Sequence, residues 1–290
     1  ELYPDVIHFD DITKLSIDDL HNALSGCHIS FVLAMGGSPC QGLSGVNASR
    51  KGFDDPRTQL LFHMLRVFKD LIREKHKVHY CAENVASMTE ADKLEFSRLL
   101  NVKPLRVCSR GLCQSRRARY FWPTWAVSED EGVAVREGAT HISIDFTATR
   151  PDPKDWTDQG WRWKGGSEES LPTFIRSSPK NKPGFLPAGL ALTPADARRR
   201  WHMDRYRFPP YQYKKQFCFQ KEGGSRTMRV ASVEEREVLM FMGRGYTSHC
   251  WNPTKAASDP AGFRDARLSL VGNAFNAGVV ALLLAPLLKR

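Results

Sequence analysis

"FVLAMGGSPCQGLSGVN", Phe31 to Asn47, is an apolar run that stops at two glycines, a proline and a cysteine. A short apolar run bounded by such residues predicts a buried strand. A strand that ends at Gly36-Gly37 delivers the next residues to the carboxyl edge of a sheet, where the ligands of open α/β folds sit. Pro39 stiffens the turn and sets Cys40 there as a candidate nucleophile. Taken alone, the stretch also describes a tight turn holding a buried structural cysteine, and such cysteines are common. The surrounding sequence has to decide.

On either side the chain alternates strand-like and helix-like patterns as far as residue 122. "VIHFDDITKL" reads as a short strand and a polar turn, and "SIDDLHNAL" as a capped helix start. "DPRTQLLFHMLRVFKDLIREK" carries Leu60, Leu61, Met64, Leu65, Phe68 and Leu71 at helical spacing. "KVHYCAENV" is a further strand and "EADKLEFSRLL" a further amphipathic helix. This order predicts an open α/β sheet, with Cys40 and Glu83 just beyond strand ends and facing one crevice. From Pro123 to Gly224 the regular pattern fails, and five of the tryptophans fall there, with many prolines. Regularity returns at "SVEEREVLMFM", where Ser232 and Glu235 have capping-box spacing. "EGGSR", 222–226, reads as a linker, and "RLSLVGNAFNAGVVALLLAPLL" as a turn leading into an apolar helix. The expected organisation is a catalytic α/β lobe over 1–122, an inserted lobe over 123–224, and a closing part of the first lobe over 225–290.

Composition narrows the function classes. The chain has 290 residues, 41% of them apolar, enough for a large core or for two lobes. Its longest apolar run, "VVALLLAPLL", is too short for a membrane span and contains Pro286, so no membrane partner is expected. No basic segment followed by an apolar one indicates secretion. Seven cysteines without a C-x-x-C pair argue against a disulfide framework and against a zinc site, and a reducing compartment follows. The net charge of +10 is concentrated: residues 176–221 hold 11 basic against 2 acidic side chains. That is a basic patch suited to a polyanion.

Four elements then stand in order: Pro39-Cys40-Gln41, Glu83-Asn84-Val85, "QSRRARYFW" (Gln114 to Trp122) and "GNAFNAG" (Gly272 to Gly278). Together they resemble the nucleophile loop, the Glu-Asn-Val motif, the Arg-x-Arg motif and the final Gly-Asn motif of the cytosine-C5 DNA methyltransferases. The resemblance covers roughly residues 5–122 and 226–288 and leaves the middle for a target-recognition region. It implies a Rossmann-like, S-adenosylmethionine-dependent methyltransferase lobe with a smaller target-recognition lobe inserted. It also implies that Cys40 attacks C6 of cytosine, that Glu83 stabilises N3, and that Arg119 holds the base's carbonyl oxygen. Arg117 would organise the thiolate or a nearby phosphate. Asp11, Ile12, Pro39, Leu60, Asn273 and Ala274 would line the S-adenosylmethionine site, and no metal is implied. Because the target atoms lie inside a duplex stack, the nucleotide would have to flip out. Each residue also has a plain reading: Glu83 as a helix cap, Arg117 and Arg119 as a solvated strand edge, Asn273 as a turn former.

The middle stretch fits a nucleic-acid reader. Arg198, Arg199, Arg200, Arg205, Arg207, Lys214 and Lys215 are interleaved with Trp201, Tyr206, Phe208, Tyr211 and Tyr213. Phosphate contacts would supply affinity to double-stranded DNA, and aromatics could wedge into the gap left by a flipped base. The competing reading is a folded lobe with an aromatic core and solvated charges.

The family's cofactor site opens with a glycine-rich strand–turn and an acidic residue, and this sequence starts beyond both. "GGSPC", "MGRGYT" and "EGGSR" lack the strand-to-helix context to replace them. The expectation is a catalytic domain incomplete at its N-terminus, in a nuclear or other intracellular setting, with the missing segment or a complete relative in trans as a partner. Two alternatives stay open: a non-catalytic nucleic-acid-binding remnant, and a tRNA cytosine-C5 methyltransferase.

Overall fold

The computed structural model describes residues 6–26, 28–45, 47, 49–73, 77–127, 129, 132–146, 150–166, 168–175 and 190–288. Packing divides the chain into two compact units. The first comprises residues 1–107, 118–145 and 289–290, and the second 108–117 and 146–288.

The first unit contains α1 (Ile17–Leu24), β1 (Val32–Gly37), α2 (Leu60–Arg73), β2 (Val78–Val85), α3 (Glu90–Leu100), β3 (Leu105–Cys108), β4 (Ala118–Pro123), β5 (Val133–Glu137) and β6 (Ile142–Phe146). Six strands form one sheet in the order β1-β2-β4-β3-β6-β5. β1 runs parallel to β2, with Gly37 opposite Glu83, while β4 runs antiparallel to β2, with Phe121 opposite Glu83. The sheet is therefore mixed, and Glu83 lies within β2, paired on both sides, rather than beyond the strand's end as expected. α2 buries Leu61, Met64, Leu65, Phe68 and Leu71, the stripe expected from the sequence. Leu60, at the helix start, is only half-buried. α2 lies so close to β1 that a Cβ on Gly36 would come 2.7 Å from the Met64 sulfur. Phe96 of α3 stacks on Trp122 of β4 at 5.1 Å between ring centroids.

Two further expectations change here. Residues 6–9 form no strand, and Val6, Ile7 and Phe9 are exposed. Residues 133–146, assigned by sequence to the inserted lobe, form β5 and β6 of the first unit's sheet. The two strands are only five residues each, too short to stand out by pattern, and Arg136 of the edge strand β5 forms an exposed ion pair with Asp145 of its neighbour β6.

The second unit contains α4 (Pro153–Trp156), β7 (Trp161–Trp163), α5 (Ala195–Met203), β8 (Phe219–Lys221), β9 (Met228–Arg229), α6 (Val233–Leu239), α7 (Pro253–Ser258), α8 (Pro260–Asn273) and α9 (Ala277–Leu288). One core joins Trp156, Trp163, Trp201, Phe208, Tyr213 and Phe219 to Leu239, Leu268 and Val271 from the closing helices. The irregular stretch and the C-terminal helices thus share a core. The "EGGSR" segment is a hairpin connection between β8 and β9 rather than a linker. Gly223 and Gly224 have φ of +76° and +81°, which explains two consecutive glycines there. Ser232 and Glu235 form the expected capping box on α6.

Residues 260–288 are together long and apolar enough to cross a membrane by length and composition. The helix breaks between Asn273 and Ala277, however, and Arg267 within it is buried against Glu234 and Glu237. α9 also buries Val279, Leu283 and Leu287 in the protein. These are features of core helices.

Candidate active site

Sheet register builds the centre of the site in the first unit. Arg119 lies opposite Val85, two residues along β4 from the partner of Glu83, so the Glu83 and Arg119 side chains share one sheet face diagonally. Arg119 Nε meets Glu83 Oε1 at 2.8 Å, and both side chains are 13% exposed. Arg119 Nη1 donates to the Ala118 carbonyl at 2.8 Å. A half-buried pair of this kind is fixed in orientation yet open to a ligand.

Cys40 lies three residues beyond β1 and is half-buried against the first unit's core. Its carbonyl accepts from Leu43 N at 3.0 Å and from Ser44 N at 2.8 Å, which closes a tight turn. The side-chain amide of buried Asn84 donates to Ser38 at 3.2 Å on the carbonyl and 3.0 Å on the hydroxyl. Arg50 donates to Leu43 O and Ser87 O at 3.2 and 2.7 Å, and Gly45 N donates to Ser87 Oγ. The Cys40 loop is thus held by the residues that follow Glu83. Pro39 is half-buried in the same turn.

One further pair escapes a reading of the sequence. Asp55 is buried beside the loop: a Cβ on Gly42 would lie 2.5 Å from the Asp55 Cβ. Its carboxylate takes Arg57 Nε and Nη2 at 2.8 and 2.6 Å, and Arg57 N at 3.0 Å. The Arg57 side chain and backbone bonds push the Asp55 carboxyl down to about 2. The bond to Asp55 strengthens protonation of Arg57, and the field of Cys40 acts in the same direction. The signal in the sequence is Asp-Pro-Arg, which by pattern alone is only the approach to a helix.

The other cysteines differ in environment. Burial pushes the thiols of Cys81, Cys113 and Cys218 up to about 12, 11 and 11. Burial also raises Cys250, which is half-buried, as is Cys108. Cys27 lies outside the described residues.

The remaining expected site residues are spread over both units. Asp11 is exposed, and its Oδ1 accepts from Thr13 N and Oγ1 at 2.9 and 2.8 Å. Those bonds hold its carboxyl below the usual range. Ile12 packs on the first unit's core and its carbonyl accepts from Arg66 at 2.9 Å. In the second unit, Asn273 is exposed and Ala274 is half-buried. Arg117 belongs to this unit and is buried there. It donates to the carbonyls of Phe174, Gly272 and Ala274 at 3.1, 3.2 and 2.6 Å, and these bonds brace the turn before α9.

The basic stretch divides into two groups. Arg198, Arg199, Arg205 and Lys215 are exposed and Lys214 is half-buried. Arg200 bonds to the Tyr213 carbonyl at 2.9 and 2.7 Å and pairs with Asp196 at 2.9 Å. Arg207 is buried and pairs with Asp204 and Asp265. Trp201, Phe208 and Tyr213 are core residues rather than exposed wedges, while Tyr206 and Tyr211 are half-buried. Among the described residues, no group of three or more His, Cys, Asp or Glu side chains could hold a metal ion.

With this geometry in place, structural comparison identifies the fold. The solved structure of the Entamoeba histolytica methyltransferase EhMeth matches with a TM-score of 0.57 at 15% identity. The match covers 98% of this chain and 83% of that one. The fold is a Rossmann-like methyltransferase fold.

Sequence then gives the family resemblance. Residues 3–102 match the family model for C-5 cytosine-specific DNA methylases, a segment that holds both the Cys40 loop and Glu83-Asn84-Val85. The type II methyltransferases M.NgoBV of Neisseria gonorrhoeae and M.NlaIV of Neisseria lactamica are each 25% identical over 178 residues, 61% of this chain. The orphan methyltransferase M.Rho11sI of Bacillus phage rho11s is 34% identical over 87 residues, 30% of this chain and 15% of its own length. The match spans 37% of the length of each Neisseria protein. The resemblance to the cytosine-C5 DNA methyltransferases stands.

Proposed function

We propose that the chain is the catalytic part of a DNA cytosine-C5 methyltransferase, which transfers a methyl group from S-adenosylmethionine to a flipped cytosine. The observation that carries this reading is the Glu83–Arg119 pair on one sheet face, with the Cys40 loop tied at Ser38 by Asn84 and at Leu43 by Arg50. These are the groups such a reaction needs. Cytosine C5 is too weak a nucleophile to accept a methyl group directly. The Cys40 thiolate adds to C6, the ring electrons move toward N3 and C5, and C5 becomes enamine-like.

Glu83 supplies or shares the proton that stabilises N3 as charge builds there. Arg119 keeps Nε on Glu83, and its outer guanidinium edge takes the base's carbonyl oxygen. Once C5 carries the methyl group, its proton leaves to a solvent base and the Sγ–C6 bond breaks. That step restores aromaticity and returns Cys40 as thiolate. Arg57, oriented by Asp55, adds a positive field near the thiol.

The residues expected at the cofactor fit the adenosine end of the molecule. Asp11 offers an ionised acceptor for a donor on the base, and Ile12 and Leu60 offer partly buried apolar surface. When bound, S-adenosylmethionine supplies an electrophilic methyl group. The exposed cations Arg198, Arg199, Arg205 and Lys215 supply phosphate contacts to duplex DNA. The activity is intracellular, in the compartment that holds the DNA.

Trapping with DNA containing 5-fluorocytosine tests the reading, because fluorine at C5 blocks the final elimination. A cofactor-dependent covalent adduct on Cys40 is expected, absent in Cys40→Ser. An adduct that survives Cys40→Ser overturns the assignment. Methylation of tRNA but not duplex DNA would move the substrate class.

A further inference from the structure

The second unit contains a cavity of about 470 Å³ between the C-terminal end of α5, the strand β9 leading into α6, and α8. Its volume falls within the range of roughly 300–1,000 Å³ common for small-molecule sites. The interior is apolar, with Phe208, Met228, Val230, Phe263 and Leu268 on its walls. Met203 lies on the lip and is 78% exposed, an apolar side chain that the core leaves unused.

Arginines surround this interior, and all but one are tied to acids. Arg200 pairs with Asp196, Arg207 with Asp204 and Asp265, Arg229 with Asp158 and Glu235, and Arg267 with Glu234 and Glu237. Arg264 differs. It is exposed at the rim, and among the described residues its side chain makes no hydrogen bond or ion pair. Partial burial, then the charges of Arg207 and Arg205, push its guanidinium below the usual range against the pull of Asp204. An anion beside Arg264 relieves that repulsion. The tied arginines give the site a fixed shape, and the untied one gives it a docking charge.

We propose that this cavity binds one nucleotide, with its phosphate on Arg264 and its base against Phe263 and Met203. A guanidinium takes a phosphate through paired donors, and aromatic and thioether walls accept a planar base. α5 supplies both the lip of the cavity and the exposed Arg198 and Arg199, so a strand held by those arginines passes near the opening. The proposal rests on the nucleic-acid reading above, but it concerns a site in the second unit, whereas Cys40, Glu83 and Arg119 lie in the first. The occupant is either a free nucleotide or an unstacked nucleotide within a strand, and the shared chemistry is the same.

The test uses the whole chain. Calorimetric titration with 2′-deoxycytidine monophosphate is compared for the native protein, Arg264→Glu and Met203→Glu, two changes at exposed positions. Affinity is expected to fall about tenfold or more in Arg264→Glu, from loss of a charge-assisted bond, and to fall also in Met203→Glu. Photocrosslinking with 5-iodo-2′-deoxyuridine, as the free monophosphate and within a single-stranded oligonucleotide, then identifies the source. Crosslinks in residues 200–213 and 260–268 from either probe support the site, and the probe that gives them names the occupant. Equal affinity in all three proteins, or crosslinks confined to other segments, overturns the proposal. Trapping with 5-fluorocytosine on the same variants keeps the two readings apart. Variants that lose nucleotide affinity but keep trapping support the cavity as a separate site. Equal affinity in all three proteins with intact trapping rejects only the cavity, and variant-sensitive nucleotide binding without any trapping in the native protein rejects only the methyltransferase.

Discussion

Asn84 donates its side-chain amide to both the carbonyl and the hydroxyl of Ser38, across 46 residues of sequence. Its Oδ1 accepts from Val85 N at 2.8 Å, and the side chain is 1% exposed. A single buried amide therefore joins the strand end at Glu83 to the loop that presents Cys40. Asn84→Ala would leave the Ser38 groups without this donor in a buried site. The cost is expected to be about 1–3 kcal/mol of stability. Chemical denaturation checks it, and alkylation of Cys40 in native protein should change in rate as the loop loosens. Unchanged stability and unchanged alkylation would show that the bond positions nothing.

Thiol reactivity offers a direct reading of the cysteine environments. Cys81, Cys113 and Cys218 have raised pKa values through burial, so almost none of each is thiolate near neutrality. Iodoacetamide at about pH 8 is expected to label Cys40 in the folded protein and to spare these three. Peptide mapping distinguishes the sites. Labelling of Cys113 or Cys218 as fast as Cys40 would contradict the buried second-unit core.

Much of the first unit is legible in the sequence because local pattern and tertiary role agree. The apolar stripe of α2, the strand ending in Glu83-Asn84-Val85 and the capped start of α1 at Ser16 form as their pattern requires, as does the capping box at Ser232 in the second unit. The resemblance sets Glu83 and Arg119 on one base but does not give the contact between them, since sequence carries no register for an antiparallel pair so far apart. The second unit is poorly legible for a different reason. Its core is assembled from single aromatics in short strands and loops, so there is no periodicity to read. For the same reason Trp201, Phe208 and Tyr213 look like a nucleic-acid surface in sequence and form a core in three dimensions.

That distinction separates the basic residues experimentally. Replacing Arg198, Arg199 and Arg205 with Ala should flatten the log–log salt dependence of duplex binding by roughly 0.9 for each phosphate that is no longer neutralised. Their exposure makes a large effect on folding unexpected. Arg207→Ala should act oppositely, lowering stability because Asp204 and Asp265 lose a buried partner. A fluorescence titration across salt concentrations and a thermal melt resolve the two. An unchanged salt slope in the triple variant would make those arginines a solvated face.

The Asp55–Arg57 pair carries a pH signature. Asp55 has a carboxyl depressed to about 2, so its stabilising contribution is present above the unfolded value near 3.8 and is lost as pH falls through the folded one. Asp55→Asn should remove that acid-sensitive component and free Arg57 from its fixed orientation. Stability followed from about pH 5 down to about pH 2 should lose its slope in the variant, and Cys40 alkylation should slow. Identical acid profiles would show that the bonds between the two residues do not persist in solution.

Glu237 gives the strongest expectation of this kind in the second unit. Its side chain is fully buried and accepts from Gly245 N at 2.6 Å, Thr247 N at 2.9 Å, Thr247 Oγ1 at 2.5 Å and Arg267 at 3.0 Å. Burial alone would raise its pKa, but the bonds from Thr247, Arg267 and Gly245 together hold it below the usual carboxylate range. A depressed value means that Glu237 stabilises the fold above its unfolded pKa of about 4.5 and loses that contribution as pH falls further. Glu237→Gln keeps the shape but leaves Arg267 with only Glu234 as an acidic partner. Breaking a buried pair from one side costs about 3–5 kcal/mol, and the remaining Glu234 bond places this variant at the lower end. Arg267→Met strands the carboxylate instead and should cost a similar amount. The double variant should cost clearly less than the two singles combined, since neither charge is then left alone. Denaturation at about pH 7 and at about pH 3.5 supplies the check: the gap between native protein and Glu237→Gln should narrow on acidification. Strict additivity of the two substitutions, or a gap that widens in acid, would overturn this account of how α6 and α8 are joined.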